Sequence, residues 1–198
     1  LCAFISEYYA HVPAQDLDDL TGPELVAIAR THMETGKTRK PRTANIRVYN
    51  PDQKTDGWST NHSVVEIVTD DMPFLVDSVS AELTRRELPI HLVIHPICKV
   101  RRNKAGAVMD ILERGHVEVD AKPESFMHFQ IAQQPDKQLR EIASDLKGIL
   151  ENVRASVEDW RPMRERSSLR TSRCARASPS CSAPFGSNLT LCVSPASK

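Results

Sequence analysis

Residues 63–95 constrain the fold more than any other stretch, because they join a strand, a helix and a second strand in one short unit. The unit opens with a β-branched run, which is typical of a buried strand. Asp70 and Asp71 then precede Pro73, and apolar residues at helical spacing follow. Acidic side chains ahead of an early helical proline accept hydrogen bonds from the free N–H groups of the first turn. The pattern therefore predicts a helix over residues 73–87 that Asp70 and Asp71 cap.

Further elements follow from periodicity and turn residues. Thr21 and Pro23 start a helix within a helical lead-in. Alternating polarity predicts one strand over residues 90–102, and an apolar stripe at helical spacing predicts a long helix after Pro135. The remaining predicted strands cover residues 44–50, 107–112 and 126–132, the second of them as a hairpin partner of the strand before it.

These elements predict an α+β fold, a ferredoxin-like sandwich in which an antiparallel sheet carries two helices on one face. The other sheet face is expected to remain open for a partner. We place the helical lead-in at residues 1–43, the sandwich domain at 44–166 and a disordered tail at 167–198. The tail is rich in serine and lacks acidic residues and periodicity. A natural disordered tail and a reading-frame slip both explain it, and we favour the slip; the start at Leu1 indicates a fragment.

Charged residues are divided unevenly along the 198 residues. All 26 Asp and Glu residues lie at or before Glu165, whereas 5 of the 26 Lys and Arg residues follow it, so a body of charge −5 precedes a tail of charge +5. No run approaches the roughly 18 apolar residues that span a bilayer, and the N-terminus lacks the order of a secretory signal. We therefore expect a cytoplasmic protein without a membrane partner.

Motifs for catalysis and metal binding are missing from the sequence. The seven glycines form no GxGxxG fingerprint, and no P-loop, GxSxG or HExxH motif occurs. The five cysteines are odd in number, with spacings that fit no zinc site. His91, His95 and His128 are assigned to the outer sheet face, but residues four apart on a strand are about 13 Å apart, too far to share one ion. We expect no catalytic residue, no metal and no cofactor in this chain.

Four separated strings resemble the N-terminal region of the large bacterial NAD-specific glutamate dehydrogenases over residues 1–166. They read HSVVEIVTDDMPFLVDSVSAEL, IHLVIHPICKVRR, ESFMHFQI and VRASVEDWRPM. The resemblance implies an ACT-type regulatory module, and hence an ACT/ferredoxin-like sandwich. It also implies that the parent enzyme oxidises L-glutamate to 2-oxoglutarate with NAD through a catalytic core encoded downstream.

The turn after the first strand of this unit is the candidate effector site, and its residues are Asp70, Asp71, Met72, Pro73 and Phe74. ACT modules that bind amino acids tend to have glycine in this turn, because a missing Cβ lets a ligand approach the helix N-terminus. Phe74 occupies that position here, which puts binding of an amino-acid effector in doubt. The alternative is that the acidic residues cap the helix and Phe74 packs.

Interface contacts are predicted on the open sheet face and along the edge strand over residues 44–50. The candidate interface residues are Trp58, His91, Val93, His95 and Phe126. Their partner would be the rest of the parent enzyme or another subunit of a homo-oligomer. An autonomous amino-acid sensor is the alternative function. A nucleic-acid-binding protein is a third possibility. We interpret the basic clusters at 37–42 and 101–104 as solvated loops or as contacts to acidic surfaces of a larger assembly, and we expect no nucleic-acid partner, because the body is acidic.

Overall fold

The computed structural model describes the backbone of residues 2–112 and 120–176, and the side chains in these ranges as far as Trp160. The chain divides into two units, Leu1–Glu158 and Asp159–Lys198. The helices are α1 (Cys2–Tyr9), α2 (Gly22–Gly36), α3 (Leu75–Arg85) and α4 (Asp136–Arg176), with a 3₁₀ turn at Ala14–Leu17. The strands are β1 (Asn45–Tyr49), β2 (His62–Asp70), β3 (Ile90–Ile94), β4 (Ile97–Arg102), β5 (Val108–Leu112) and β6 (Lys122–Ala132).

All strand pairs of the sheet are antiparallel, in the order β1-β2-β6-β4-β5, with β3 paired to the remaining part of β6. The succession from β2 through α3, the β3–β4 strands and β6 to α4 follows the β-α-β-β-α order of a ferredoxin-like sandwich, with β5 added between β4 and β6 along the chain as the hairpin partner of β4. The predicted α+β class is therefore confirmed.

One side of the sheet is covered by α3 and α4, as the helical stripes predicted. Its core is apolar and includes Val65 and Ile67 of β2, Phe129 of β6, Leu83 of α3 and Leu146 of α4, each 0% exposed. Each such side chain contributes about 1.5–3 kcal/mol on full burial. This side therefore supplies a large share of the hydrophobic stabilisation.

The other side of the sheet is covered by α1 and α2, so the predicted open face is wrong. Phe4 and Ile28 from these helices pack with Val64, Val68 and Phe126 from the sheet. The physical reason lies in β2, where every residue between its two ends is buried. A strand buried on both faces needs a second layer, and the helical lead-in provides that layer.

The structure confirms the predicted start of α2 but not that of α3. Thr21 and Glu24 form a reciprocal capping box at α2, which confirms the predicted start of that helix. The start of α3 is not as predicted, because the helix begins at Leu75 and its N-cap is Phe74, without a side-chain cap. Neither Asp70 nor Asp71 caps it, since both side chains have partners on other elements.

The strand predicted over residues 90–102 is interrupted at His95 and Pro96, which separate β3 from β4. Proline lacks an N–H for the ladder, so the single predicted strand becomes two strands along one edge of β6. The predicted hairpin is confirmed, and Gly106 in its turn has φ +84°. A Cβ there would collide with the carbonyl oxygen of Arg39, so the turn requires glycine.

The C-terminal helix α4 continues to Arg176, past the predicted domain boundary at residue 166. The helical assignment thus extends over residues 167–176, and the domain boundary at residue 166 stays a prediction. Residues 177–198 lie outside the described residues, so for them disorder stays a prediction. None of the helices in the described ranges is long and apolar enough to cross a membrane.

Candidate functional site

A buried ion-pair cluster surrounds the end of β2. Arg39 is 3% exposed and donates from Nη2 to Glu124 Oε1 and Asp70 Oδ1, each at 2.7 Å. Arg102 binds both oxygens of Glu124 at 2.7 Å, and Arg154 Nη1 lies 2.9 Å from Asp70 Oδ2. The interpretation of both basic clusters as solvated loops is therefore wrong for Arg39 and Arg102, which neutralise a buried carboxylate.

Asp70 is consequently engaged before any effector arrives. Burial opposes its ionisation, but the hydrogen bond and positive charge of Arg39, with a further contribution from Arg154, leave the pKa of this carboxyl below its ordinary value. Its role in the described residues is to join the segment after α2 to α4 through two arginines. Asp70, one of the predicted effector residues, is thus already paired with two arginine side chains of this chain.

Asp71, Ser125 and His95 form a hydrogen-bonded chain beside the same turn. Ser125 Oγ donates to Asp71 Oδ1 at 2.7 Å, so its oxygen accepts from His95 Nε2 at 3.2 Å. Burial lowers the pKa of His95, while the charge of Asp71 acts in the opposite direction. The two hydrogen bonds hold the turn against β6. Because the hydroxyl proton points to the carboxylate and not to the imidazole, His95 does not activate Ser125 as a nucleophile.

Phe74 has a left-handed backbone conformation, with φ 70° and ψ 7°, and its ring is 63% exposed. A bulky residue is strained there by about 1–2 kcal/mol relative to a right-handed conformation. The geometry thus matches the glycine expected from the resemblance, although the residue does not. Met72 packs against the core under α3 and α4, and Pro73 is exposed.

Exposed apolar side chains continue from Phe74 onto the neighbouring strands. Val93 is 38% exposed and Ile97 is 48% exposed. Val93 pairs with Phe129, whose ring lies on the α3/α4 side, and Ile97 pairs with Ser125. We call Phe74, Val93, His95 and Ile97 the β3–β4 strip. Its three apolar members are all exposed.

The predicted interface residues therefore separate into two groups. Val93 and His95 belong to the β3–β4 strip, whereas His91 is exposed on β3 and its ring stacks on that of His62. Trp58 and Phe126 are 0% and 1% exposed and pack under this chain's own N-terminal helices. Their assignment to an exposed interface is wrong, because the face they occupy is covered.

His128 also lies in the interior and not on the predicted outer face. It is 0% exposed, and burial lowers its pKa to about 3. Its cross-strand partner Glu66 is equally buried, and desolvation raises the pKa of that carboxyl to about 7. Thr35 and Tyr49 donate to Glu66 at 2.6 and 2.9 Å. Sequence reasoning missed Glu66, although one acidic residue inside a β-branched run was the available signal.

Comparisons with known proteins identify the family. The family model described as "Glutamate dehydrogenase, ACT1 domain" matches residues 4–146. A relative named NAD-specific glutamate dehydrogenase, from Pseudomonas aeruginosa, is 38% identical over 120 residues, which cover 60% of this chain and 7% of the relative. Another of that name, from Halomonas elongata, is 30% identical over 162 residues, which cover 81% of this chain and 10% of the relative.

The matched region contains most of α1, all of α2 and α3, the whole sheet and the first part of α4. The predicted resemblance is thereby confirmed, and this chain spans a tenth or less of the length of these relatives. The chain belongs to the glutamate dehydrogenase ACT1 domain family, and it corresponds to an N-terminal region of an NAD-specific glutamate dehydrogenase.

Proposed function

We propose that this chain is a non-catalytic regulatory and assembly module of a cytoplasmic NAD-dependent glutamate dehydrogenase. The whole enzyme would oxidise L-glutamate to 2-oxoglutarate with NAD, and that chemistry would reside outside this chain. Family membership supports the proposal, as does the printed name of the two relatives. The side chains of the described sandwich mostly pack, pair or hydrogen-bond, which suits a module that acts by contact.

The observation that carries the proposal is the exposed β3–β4 strip next to the strained turn. Phe74 is held in an unfavourable backbone conformation while its ring remains 63% exposed. Strain of this kind is typically retained where the surrounding structure needs it for function. Together with Val93 and Ile97, the ring forms an apolar surface suited to a protein partner. We assign that partner as a second subunit of a homo-oligomer.

Sedimentation of the full chain tests this assignment. We expect concentration-dependent dimers of the wild type, and a dimer dissociation constant about tenfold or more higher for Ile97→Ser, because a central apolar contact is lost. Met109→Ser is the matched control, since Met109 is 62% exposed but lies on β5 outside the strip. A wild type that stays monomeric at its highest soluble concentration, or an equal effect of both variants, would contradict the proposal.

An autonomous amino-acid-sensing module is the second candidate function. The observation in its favour is the chain of Asp71, Ser125 and His95, which holds polar groups at the N-terminal end of α3. Saturating serine, aspartate or glutamate should then raise the melting temperature of the full chain. The Asp71→Asn variant should lose that response. A melting temperature that none of the three amino acids changes would contradict the sensing function, and the assembly role would remain as the proposal.

A further inference from the structure

A pocket of about 260 Å³ lies between α4 and the segment that leads into β1. Its lining comes from residues 42–44, from Thr69 near the end of β2 and from four residues of α4. The four are Lys147, Leu150, Glu151 and Arg154. Pockets for drug-sized ligands occupy roughly 300–1,000 Å³, so the occupant of this one is a small molecule. The function proposed above uses none of these residues.

The lining of the pocket is positively charged. Arg42, Lys147 and Arg154 belong to it, and Glu151 is the one carboxylate among its described residues. Lys147 makes no ion pair or hydrogen bond with the residues that the structure describes. Arg42 pairs with Glu158 at 2.7 Å, but both side chains are exposed, so this pair contributes little and a ligand can replace it. Three cations and one carboxylate attract an anion with two negative charges.

The buried ion-pair cluster adds a second, independent sign of an anion. Within the described side chains of that cluster, Asp70 and Glu124 each contact two arginines, and the arginines number three. One positive charge of the cluster therefore has no carboxylate of its own. Arg154 is the arginine of the cluster that lines this pocket, and it is 17% exposed. Because a partly buried charge without full compensation is costly, an anion beside Arg154 would stabilise the cluster.

The guanidinium of Arg154 is already held in place. Its Nη2 donates to Thr69 Oγ1 at 3.2 Å, and its Nη1 lies 2.9 Å from Asp70 Oδ2. Both partners belong to β2, so a ligand does not have to order this side chain when it binds. A guanidinium has five N–H donors, and these two contacts leave others for a carboxylate. Arg154 is thus a preorganised donor within the pocket.

The order of residues along α4 indicates a ligand whose two negative charges are separated. Arg42 reaches α4 at Glu158, so the two arginines lie toward the C-terminal end of the pocket. Lys147 precedes Arg154 by seven residues, which is about 10.5 Å along the helix axis. Leu150 supplies apolar surface between them. A four- or five-carbon dicarboxylate with a hydrogen bond of about 2.8 Å at each end spans a comparable length.

We propose that this pocket binds a short linear dicarboxylate. One carboxylate accepts hydrogen bonds from Arg42 and Arg154, and the other accepts from Lys147. The methylene groups lie against Leu150 and Ala44. A ligand bound in this way joins the segment before β1 to α4, so it stabilises the packing of α4 on the sheet.

NMR titration of the full chain with succinate and with glutarate, at constant ionic strength, tests the proposal. Saturable shifts of the amide signals of residues 42–44 and 147–154 are expected. Lys147→Gln should weaken binding about tenfold or more, because the ion pair with one carboxylate is lost.

Lys137→Gln is the matched control. Lys137 is exposed on the same helix but does not line the pocket, and it lies about 15 Å from Lys147 along the helix axis. At 0.15 M salt the Debye length is about 8 Å, so this variant should bind as the wild type does. Equal weakening by the two variants would show diffuse attraction to a basic surface and would overturn the proposal.

Glu151→Gln removes the carboxylate of the lining, so it should tighten dicarboxylate binding about threefold, which a damaged fold would not do. L-Glutamate adds an ammonium group to the glutarate skeleton. Tighter binding of L-glutamate than of glutarate, lost in Glu151→Gln, would assign the pocket to an amino acid and overturn the proposal.

Inorganic phosphate concentrates its charge in one group and should bind more weakly than succinate. Equal binding of the two anions, or no saturable shifts with either dicarboxylate, would also overturn the proposal. Dimerisation through the β3–β4 strip would be unaffected, so this proposal and the proposed function fail independently.

Discussion

The two sides of the sheet are packed in opposite ways. The α3/α4 side has a mainly apolar core from β2, β6 and the two helices, beside which Thr69, Ser125 and Glu82 are buried polar residues. The α1/α2 side buries His32, Glu66, His128 and Gln130 among its apolar residues. Apolar packing tolerates changes of pH, whereas buried ionisable groups connect stability to pH through their shifted pKa values. The contribution of the α1/α2 side to the free energy of unfolding therefore depends on pH.

The largest expected effect comes from the ion pair at the edge of the polar side. Glu124→Gln removes the carboxylate that Arg102 pairs with and leaves Arg39, which is 3% exposed, with Asp70 as its remaining counter-ion. Removal of one partner of a buried pair typically costs about 3–5 kcal/mol. Urea unfolding of the full chain measures the loss. The control is Arg42→Gln in the exposed pair with Glu158, where about 1 kcal/mol or less is expected.

A loss below about 1 kcal/mol for Glu124→Gln would mean that Asp70 and water together replace Glu124 as partners of the two arginines. The polar side would then be open at this edge, and the contrast between the two sides would be weaker than the structure indicates.

The next effect is a pH-dependent one at Glu66. Burial raises its folded pKa from 4.5 to about 7, so the folded state keeps a proton that the unfolded state releases. The stabilisation is fully present below pH 4.5 and is lost as pH rises through about 7. Relative to the wild type, Glu66→Gln should gain about 1–3 kcal/mol on going from pH 5 to pH 8. Denaturation at both pH values, with exposed Glu34→Gln as control, measures this change.

Parallel behaviour of the wild type and Glu66→Gln across this range would contradict a buried carboxyl at position 66. The low pKa of His32 and of His128 affects both proteins equally, so it cancels in the comparison.

The contrast between the sides also explains how much the sequence revealed. Regular alternation in β6 and the helical stripe of α4 indicated the α3/α4 side, since each apolar residue there follows its expected period. His128 interrupts the apolar pattern of the other side, so that face was interpreted as exposed. The capped start of α2 was predictable from Thr21, but its packing was not, because helix position depends on contacts distant in sequence.

The candidate site was predictable only in outline. The position of the turn followed from Pro73 and the acidic residues, and its left-handed residue matched the glycine of the family pattern. The partners of Asp70 were not predictable, since Arg39 and Arg154 are 31 and 84 residues away in sequence. The sequence alone does not distinguish a solvated basic side chain in a loop from one that pairs with a buried carboxylate distant in sequence.

The smallest expected effect lies at this turn, where α3 begins. Phe74→Gly should be about 0.5–1 kcal/mol more stable than Phe74→Ala, because glycine accepts positive φ without strain. Thermal unfolding of the two variants measures the difference. The comparison with alanine removes the ring from both proteins, so only the backbone conformation differs. Greater stability of Phe74→Ala would contradict the left-handed conformation of residue 74.

The central claim is that this chain's own N-terminal helices seal the α1/α2 side of the sheet. Titration of the His128 ring by NMR in the full chain tests it most directly. The account predicts that His128 stays neutral through pH 5, in keeping with a pKa of about 3, while the fold persists. A His128 ring that takes up its proton near pH 6.5 in the folded protein would contradict the sealed face.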